Sequence, residues 1–513
     1  MTTKRTAISL QLLSALGLAL CAAAGSNATP DPVPVGQFTS QSDVGLVVPP
    51  GAARYSAAND TYTLTGAGAN TWYHLDAFHF LWQKMSGDVA LTAEIRFPPV
   101  TYHHPPDPHR KGLLMFRQSL DAGAIYADAA VHGSGLTALQ YRHERGANTE
   151  DIELNINAPR TVRIEKRGDT FTLYLSTQGE PLHPVGASIP LHLRAPFYVG
   201  LGVVSHDVNT VDQVEFRHVQ LERLAPRAQM TPGVRHSSLL TIQTEDQYRR
   251  AAVIRTASAL MQSPNWLPHN PNIYLYEAGH LLAIPYLDPP AGGKPHPLAT
   301  GSLVECSGNY GVSPDGQSVA VSCKAAPGAP HEVYVLPASG SGGPRQLTRG
   351  PASFFHAWSP DSSTVAFTRG QASKADIFTI PAAGGEEHQL THDTINDGPD
   401  YSADGKFIYF DSSRSGQLQI WRMHPDGTAA EQITADAWRN SSPHLSPDGK
   451  SLAFLAQPPG SSDAIGDAEL RVVNLGDGLI RTLTRFQGNR DSFSMYAWGD
   501  NNHVAYVSYD SLP

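Results

Sequence analysis

Two imidazoles, two carboxylates and two amides stand where chemistry could gather: His356, Asn396, Asp397, Asp400, Asn440 and His444. Each lies within a few residues ahead of a recurring turn, Ser359-Pro360-Asp361, Ser402-Ala403-Asp404 or Ser446-Pro447-Asp448. Equivalent positions of a repeat meet in space. Two histidines and two aspartates from neighbouring repeats can supply three or four ligands to a divalent ion, or line a polar ligand pocket. The plainer alternative is that these groups hydrogen-bond backbone between repeats, as buried polar groups must. Glycoside hydrolysis would need carboxylates about 5 to 9.5 Å apart, which spacing cannot supply for Asp397 and Asp400. No catalytic residue and no resident cofactor is therefore assigned, and a divalent metal stays an open alternative.

A second set lies between 117 and 142. Ile125, Ala127, Ala129 and Val131 alternate with Tyr126, Asp128, Ala130 and His132, so one face of this strand is apolar and the other polar. Gln140 and Arg142 share a parity on the next strand, and Arg117-Gln118 ends the one before. An open face bearing Arg117, Gln118, Tyr126, Asp128, His132, Gln140 and Arg142 suits a sugar, whose ring stacks on aromatics while its hydroxyls exchange hydrogen bonds. An ordinary solvated sheet face is the plain alternative. Trp72, Tyr73 and Trp82 read as core or rim aromatics, and His103, His104 and His109 sit in a proline-rich loop that could chelate a metal adventitiously. Asp315, Asp361, Asp404 and Asp448 are expected to cap their own turns.

Cys306 and Cys323, 17 positions apart, can form a disulfide in an oxidising compartment, while two separately buried thiols fit the sequence equally well. The motifs of several enzyme classes are missing: no Gly-x-Ser-x-Gly elbow, His-Glu-x-x-His, phosphate loop or dinucleotide fingerprint occurs. A formal charge of −10, from 37 Lys+Arg against 47 Asp+Glu, argues against a nucleic-acid partner.

The elements that must position these residues are strands. Glycine 45 and proline 40 in 513 residues mark a turn-rich chain, and 41% hydrophobic content can fill sizeable cores. Runs of period two at 89–97, 112–118, 125–132, 136–143 and 197–205, and a hairpin around Arg167-Gly168-Asp169, predict a β-sandwich over 36–223. Residues 224–237, with Pro226, Pro232 and Gly233, read as a linker. From 238 to 513 one unit repeats: turns at Ser313, Ser359, Ser402 and Ser446 step by 46, 43 and 44 residues. Each precedes a β run such as Val319–Ser322 or Val365–Thr368, and four short strands per ~45 residues make a propeller blade. Degenerate copies at Asn265-Trp266 and Ala497-Trp498 bring the anchors to six, with strands from both ends of the region expected to share one blade.

Residues 1–28 read as a signal peptide. Lys4 and Arg5 precede the apolar stretch Ala7–Leu20, with small-x-small cleavage sites at Ala24 and Ala28. No run of about 18 apolar residues is present to span a membrane. A periplasmic or secreted monomer is expected.

Over 238–510, through "SPNW", "FFHAWSPD", "NDGPDYSADGKFIYFDS", "QIWRMHPDG" and "VAYVSYD", the chain resembles the TolB-like propeller family. Residues 36–223 resemble the concanavalin A-like sandwich found ahead of such propellers in exported proteins named as biopolymer-transport Tol components, through "FHFLWQKMSGD" and "YVGLGVVSHD". TolB itself carries a different N-terminal domain, so its lipoprotein partnership is not carried over whole. Oligogalacturonate lyases are similar in placing a metal and histidines at a propeller channel, but where an Asp-His-Gly is common this chain has Asn309-Tyr310-Gly311. The resemblance implies an all-β chain, a concanavalin A-like sandwich followed by a six-bladed TolB-like propeller. The expected function is that of an exported, non-catalytic binding protein, its sandwich engaging glycan and its propeller a protein or polymer partner. The alternative is a carbohydrate-active enzyme, a polysaccharide lyase or glycoside hydrolase, at the propeller funnel.

Overall fold

A computed structural model describes residues 34–510 apart from 100–104, 178–179, 226–235, 245–249, 258, 269, 288–290, 293, 340–341, 372–373, 393, 461–465 and 489–495. The expected signal peptide, most of the expected linker, and His103 and His104 lie outside the described residues. Among the described residues every regular element is a strand.

The strands fall where alternation places them. Thr161–Arg167 and Thr170–Ser176 form the expected hairpin, with Gly168 at φ +54°, the left-handed conformation that its tight turn requires. In a seven-stranded sheet this hairpin neighbours Val89–Arg96, Asp212–Arg223 and Thr61–Gly66. The apolar side chains of that sheet, among them Leu91, Ile164 and Leu173, pack against Leu114, Phe116 and Leu139 of a second, larger sheet in one core.

The blade turns close as their residue types dictate. In each of the four clear copies the serine hydroxyl donates to the aspartate two residues on, at 2.5 to 2.8 Å, and accepts the amide five residues on at 2.9 Å. Asp315, Asp361, Asp404 and Asp448 thus cap their own loops. The hydrogen bonds they accept hold the exposed Asp361 and Asp404 carboxyls down at about 2.

The expected six-bladed propeller beside a self-contained concanavalin A-like sandwich is overturned. Five sheets are blades, with inner strands Met261–Trp266, Tyr310–Val312, Ser353–Trp358, Asn396–Tyr401 and Arg439–Leu445. At the remaining position the two ends of the repeat region do pair, His236–Gln243 lying antiparallel to His503–Asp510. These strands, with Arg250–Ala257 and Tyr496–Trp498, form no blade of their own; they are the last four of a single 11-stranded sheet whose other seven strands come from the N-terminal region. The joint is a parallel pairing of Arg250–Ala257 with Glu150–Glu153. Two edges that would each expose unpaired amides and carbonyls satisfy one another there. The core is continuous across the joint, running from Leu139 and Ile152 to Leu239, Val253 and Trp498.

Cys306 and Cys323 are joined in a disulfide, with Cys323 fully buried among Val319, Val321 and Tyr334 of the second blade.

Candidate functional site

The inner strands of the five blades, with Tyr496–Trp498 from the large sheet, surround an axial cavity of about 400 Å³. Its wall follows from the anchor sequences. The two Ala-Trp pairs ahead of anchor turns send their indoles sideways: Trp358 Nε1 donates to Gly311 O and Trp498 Nε1 to His444 O, both at 2.9 Å. Tyr310 likewise donates from its hydroxyl to Ser263 O at 2.6 Å. These clips tie three of the units to the one before, and Tyr310, Trp358 and Trp498 line the cavity beside Trp266, Phe355 and Tyr401.

Of the six residues singled out for this funnel, His356, Asp400 and His444 reach the cavity wall. Asp400 Oδ2 accepts the Leu445 amide at 3.0 Å and lies 3.5 Å from His444 Nδ1, while the His444 ring meets Tyr496 edge-on at 5.1 Å. His356 Nε2 lies 3.0 Å from both Thr368 Oγ1 and Asp397 Oδ1. Burial works to raise the Asp397 carboxyl, but the charge and hydrogen bond of His356 outweigh it and hold that group below the usual carboxylate range.

Asn396 and Asn440 are fully buried between strands. Asn396 Oδ1 accepts Ser412 Oγ at 2.8 Å and Arg414 Nη2 at 2.9 Å; Asn440 Nδ2 donates to Gln419 Oε1 at 3.0 Å and Asp436 Oδ1 at 2.9 Å. Most of their partners are side chains, and Asn396 Nδ2 also donates to the backbone at Thr394 O, at 3.4 Å. The two His–Asp pairs also stay apart: among the described residues no three His, Cys, Asp or Glu side chains are gathered to hold an ion.

Asp411 belongs to this polar group and escapes a spacing argument, because it sits on the second strand of its blade. It stands opposite Asp397 in the ladder, its Oδ2 accepts the Ser442 amide at 2.9 Å, and it is 4% exposed. Burial first, then the Asp397 charge, push its carboxyl up to about 7. The signal was present as a lone acid in the apolar run Ile408-Tyr409-Phe410-Asp411. Gly398 makes the close approach possible: at φ +59°, a Cβ there would lie 3.3 Å from Asp411 Oδ2 and 3.4 Å from Ser442 Cα.

The expected open face on the N-terminal strands is closed. Arg117, Tyr126, Asp128 and Arg142 are completely buried, and His132 and Gln140 nearly so. A strap over residues 67–77 crosses them. Asp76 in this strap meets Arg142 Nη2 at 2.7 Å and Arg117 Nη2 at 3.2 Å, and Tyr126 donates from its hydroxyl to Thr71 O at 2.6 Å. Arg142 donates further to Trp72 O at 3.3 Å and Tyr73 O at 2.8 Å. These side chains face polar atoms of the strap, not solvent, because two buried guanidiniums need a carboxylate and carbonyls. Gln118, half-buried at the strand end, exchanges hydrogen bonds with the Arg194 backbone at 2.7 and 3.1 Å. Gln140 Oε1 accepts Lys111 Nζ at 3.2 Å.

Fold and channel together define a β-propeller protein with an axial cavity. The TolB beta propeller domain matches residues 353–494. An uncharacterized protein of Agrobacterium fabrum is 35% identical over 265 residues, 51% of this chain and 89% of that one. The solved structure of a candidate TolB from Agrobacterium tumefaciens is 32% identical, covering 55% of this chain and all of that one, with a TM-score of 0.50. A Tol-Pal system protein TolB of Francisella tularensis is 31% identical over 103 residues, 20% of this chain and 23% of that one. The chain belongs to the TolB-like β-propeller family.

Proposed function

We propose that this is an exported, non-catalytic binding protein of the TolB-like type, whose axial channel takes a segment of a protein partner. The observation that carries the reading is the channel wall. A cavity of about 400 Å³ presents Trp266, Trp358, Tyr401 and Trp498 beside the prolines of four anchor turns. Broad rigid rings around a concave site are what anchor side chains of an inserted chain bury against. The polar groups at the wall are already engaged, Asp400 with the Leu445 amide and His356 with Asp397, so they orient an occupant more readily than they react with it. Of Asp397, Asp400 and Asp411 only Asp400 lines the cavity, which disfavours paired-acid chemistry there. The Francisella relative's name as a Tol-Pal system protein supports a protein occupant. The apolar leader Ala7–Leu20 supports export to a periplasm or beyond. Glycan binding at the N-terminal face is not retained, because the strap covers it.

The test fills the channel without touching its polar pairs. Ala403 is exposed on the cavity wall, so Ala403→Trp adds bulk at the mouth and removes no hydrogen bond. A photo-crosslinking side chain at Tyr401 should trap a protein in cells, and the trapped yield should fall at least tenfold when Ala403→Trp is added. No trapped protein, or equal trapping in both backgrounds, refutes the assignment.

A further inference from the structure

The wall of the axial cavity carries one fixed charge. Among the described lining residues Asp400 alone ends in a carboxylate, and none is a lysine or arginine. His356 also lines the cavity, but its Nε2 lies 3.0 Å from Asp397 Oδ1, so a proton gained there is already matched. His444 Nδ1 stands 3.5 Å from Asp400 Oδ2, longer than an ordinary N–H···O hydrogen bond. The Leu445 amide, donating to Oδ2 at 3.0 Å, fixes the Asp400 carboxylate in place and leaves Oδ1 for an occupant. Donors around it are spent elsewhere. The indoles of Trp358 and Trp498 and the hydroxyls of Tyr310 and Tyr496 donate to the carbonyls of Gly311, His444, Ser263 and Ser442. Asn265, on the same wall, holds a second acceptor, an Oδ1 with no hydrogen-bond partner. The negative field reaches the rings: burial raises the Tyr496 phenol, and the Asp400 charge raises it further.

We propose, resting on the channel reading above, that the protein segment entering the cavity carries a basic side chain, arginine or lysine, whose cation pairs with Asp400 among the aromatic rings. A cation drawn out of water needs a countercharge and gains from ring faces. Trp266, Trp358, Tyr401 and Trp498 supply those rings in the same wall. The aliphatic stem of the basic side chain packs on them while its head reaches the carboxylate. An acidic side chain meets repulsion there and finds no lysine or arginine to receive it. A neutral one leaves the covered carboxylate unpaired. Asp400 thus selects among segments by penalising the wrong charge, while the rings supply the apolar contact common to all of them. The chain as a whole leans the same way, since a formal charge of −10 draws basic partners from a distance.

The experiment places the photo-crosslinking side chain at Tyr401 of the full exported chain, with Asp400 intact, as Asp400→Asn and as Asp400→Glu. Asparagine keeps an oxygen for the Leu445 amide and removes the charge. The trapped yield should fall at least tenfold with asparagine and by less with glutamate, which restores the charge. Mapping the crosslink on the trapped protein should find an arginine or lysine beside it. Changing that basic residue to glutamine should cost as much as Asp400→Asn, and the two changes together little more than either alone. The partner's variant reads out the pair even if Asp400→Asn fails to fold. No trapped protein in any background overturns the channel reading and the basic anchor together. A trapped yield indifferent to Asp400→Asn, a crosslink with no basic residue beside it, or losses that simply add in the doubly altered pair overturns the basic anchor and leaves the channel reading standing.

Discussion

Replacing Asp411 by asparagine should stabilise the protein at pH 8 by more than twice as much as at pH 5. Burial and the Asp397 charge push the carboxyl up to about 7 in the folded chain, against an ordinary value of 3.8. Between those values the native state holds a proton that the unfolded chain has released, so stability falls as pH rises through that window. At about 1.36 kcal/mol per unit, the gap corresponds to about 4 kcal/mol lost by pH 8. Asp397 remains in the variant and part of the gap belongs to its charge, so about 2 kcal/mol should be recovered. Asparagine keeps an oxygen for the Ser442 amide, which Asp411 Oδ2 now accepts at 2.9 Å, and adds a donor toward Asp397. Thermal unfolding at both pH values reads this as a Tm several degrees higher than wild type at pH 8, with a gap less than half as large at pH 5. A Tm difference that is the same at both pH values, or a variant less stable at pH 8, refutes the reasoning.

Arg142→Met should cost about 3–5 kcal/mol, because it strips a completely buried cation from Asp76 and frees carbonyls of the strap; a loss under about 1 kcal/mol in urea unfolding would show that the strap is held otherwise. Converting Cys306 and Cys323 to serine should lower stability by roughly 3 kcal/mol for a loop of this size, read as a shift in the urea midpoint that reductant reproduces in wild type. Wild-type unfolding curves that are indifferent to reductant would contradict a structural bridge.

Local chemistry made much of this molecule legible. The period-two runs became strands close to their expected limits, as with 197–205 and Phe197–Val204, because alternation states which face is buried. The Ser-Pro-Asp turns capped themselves because serine, aspartate and the next amides are all within five residues. His356, Asp400 and His444 reached the channel because a repeat carries equivalent positions to equivalent places. Arg117 and Arg142 show where this reading stops. Period two told that they share a polar face, but whether water or the strap covers that face depends on Asp76, 66 residues from Arg142 along the chain.

The sequence by itself determined strands, turns and the repeat, since these rest on contacts between residues near one another in the chain. Only the tertiary structure decided how edges pair. Glu150–Glu153 and Arg250–Ala257 read alike as strands whether free or joined, and backbone pairing leaves no mark on side-chain type. That one parallel joint merges the repeat region with the N-terminal sheet and leaves five separate blades instead of six. The Asp397–Asp411 pair is decided the same way: its chemistry comes from groups on different strands, brought together by packing that minimises unpaired edges and buried charge.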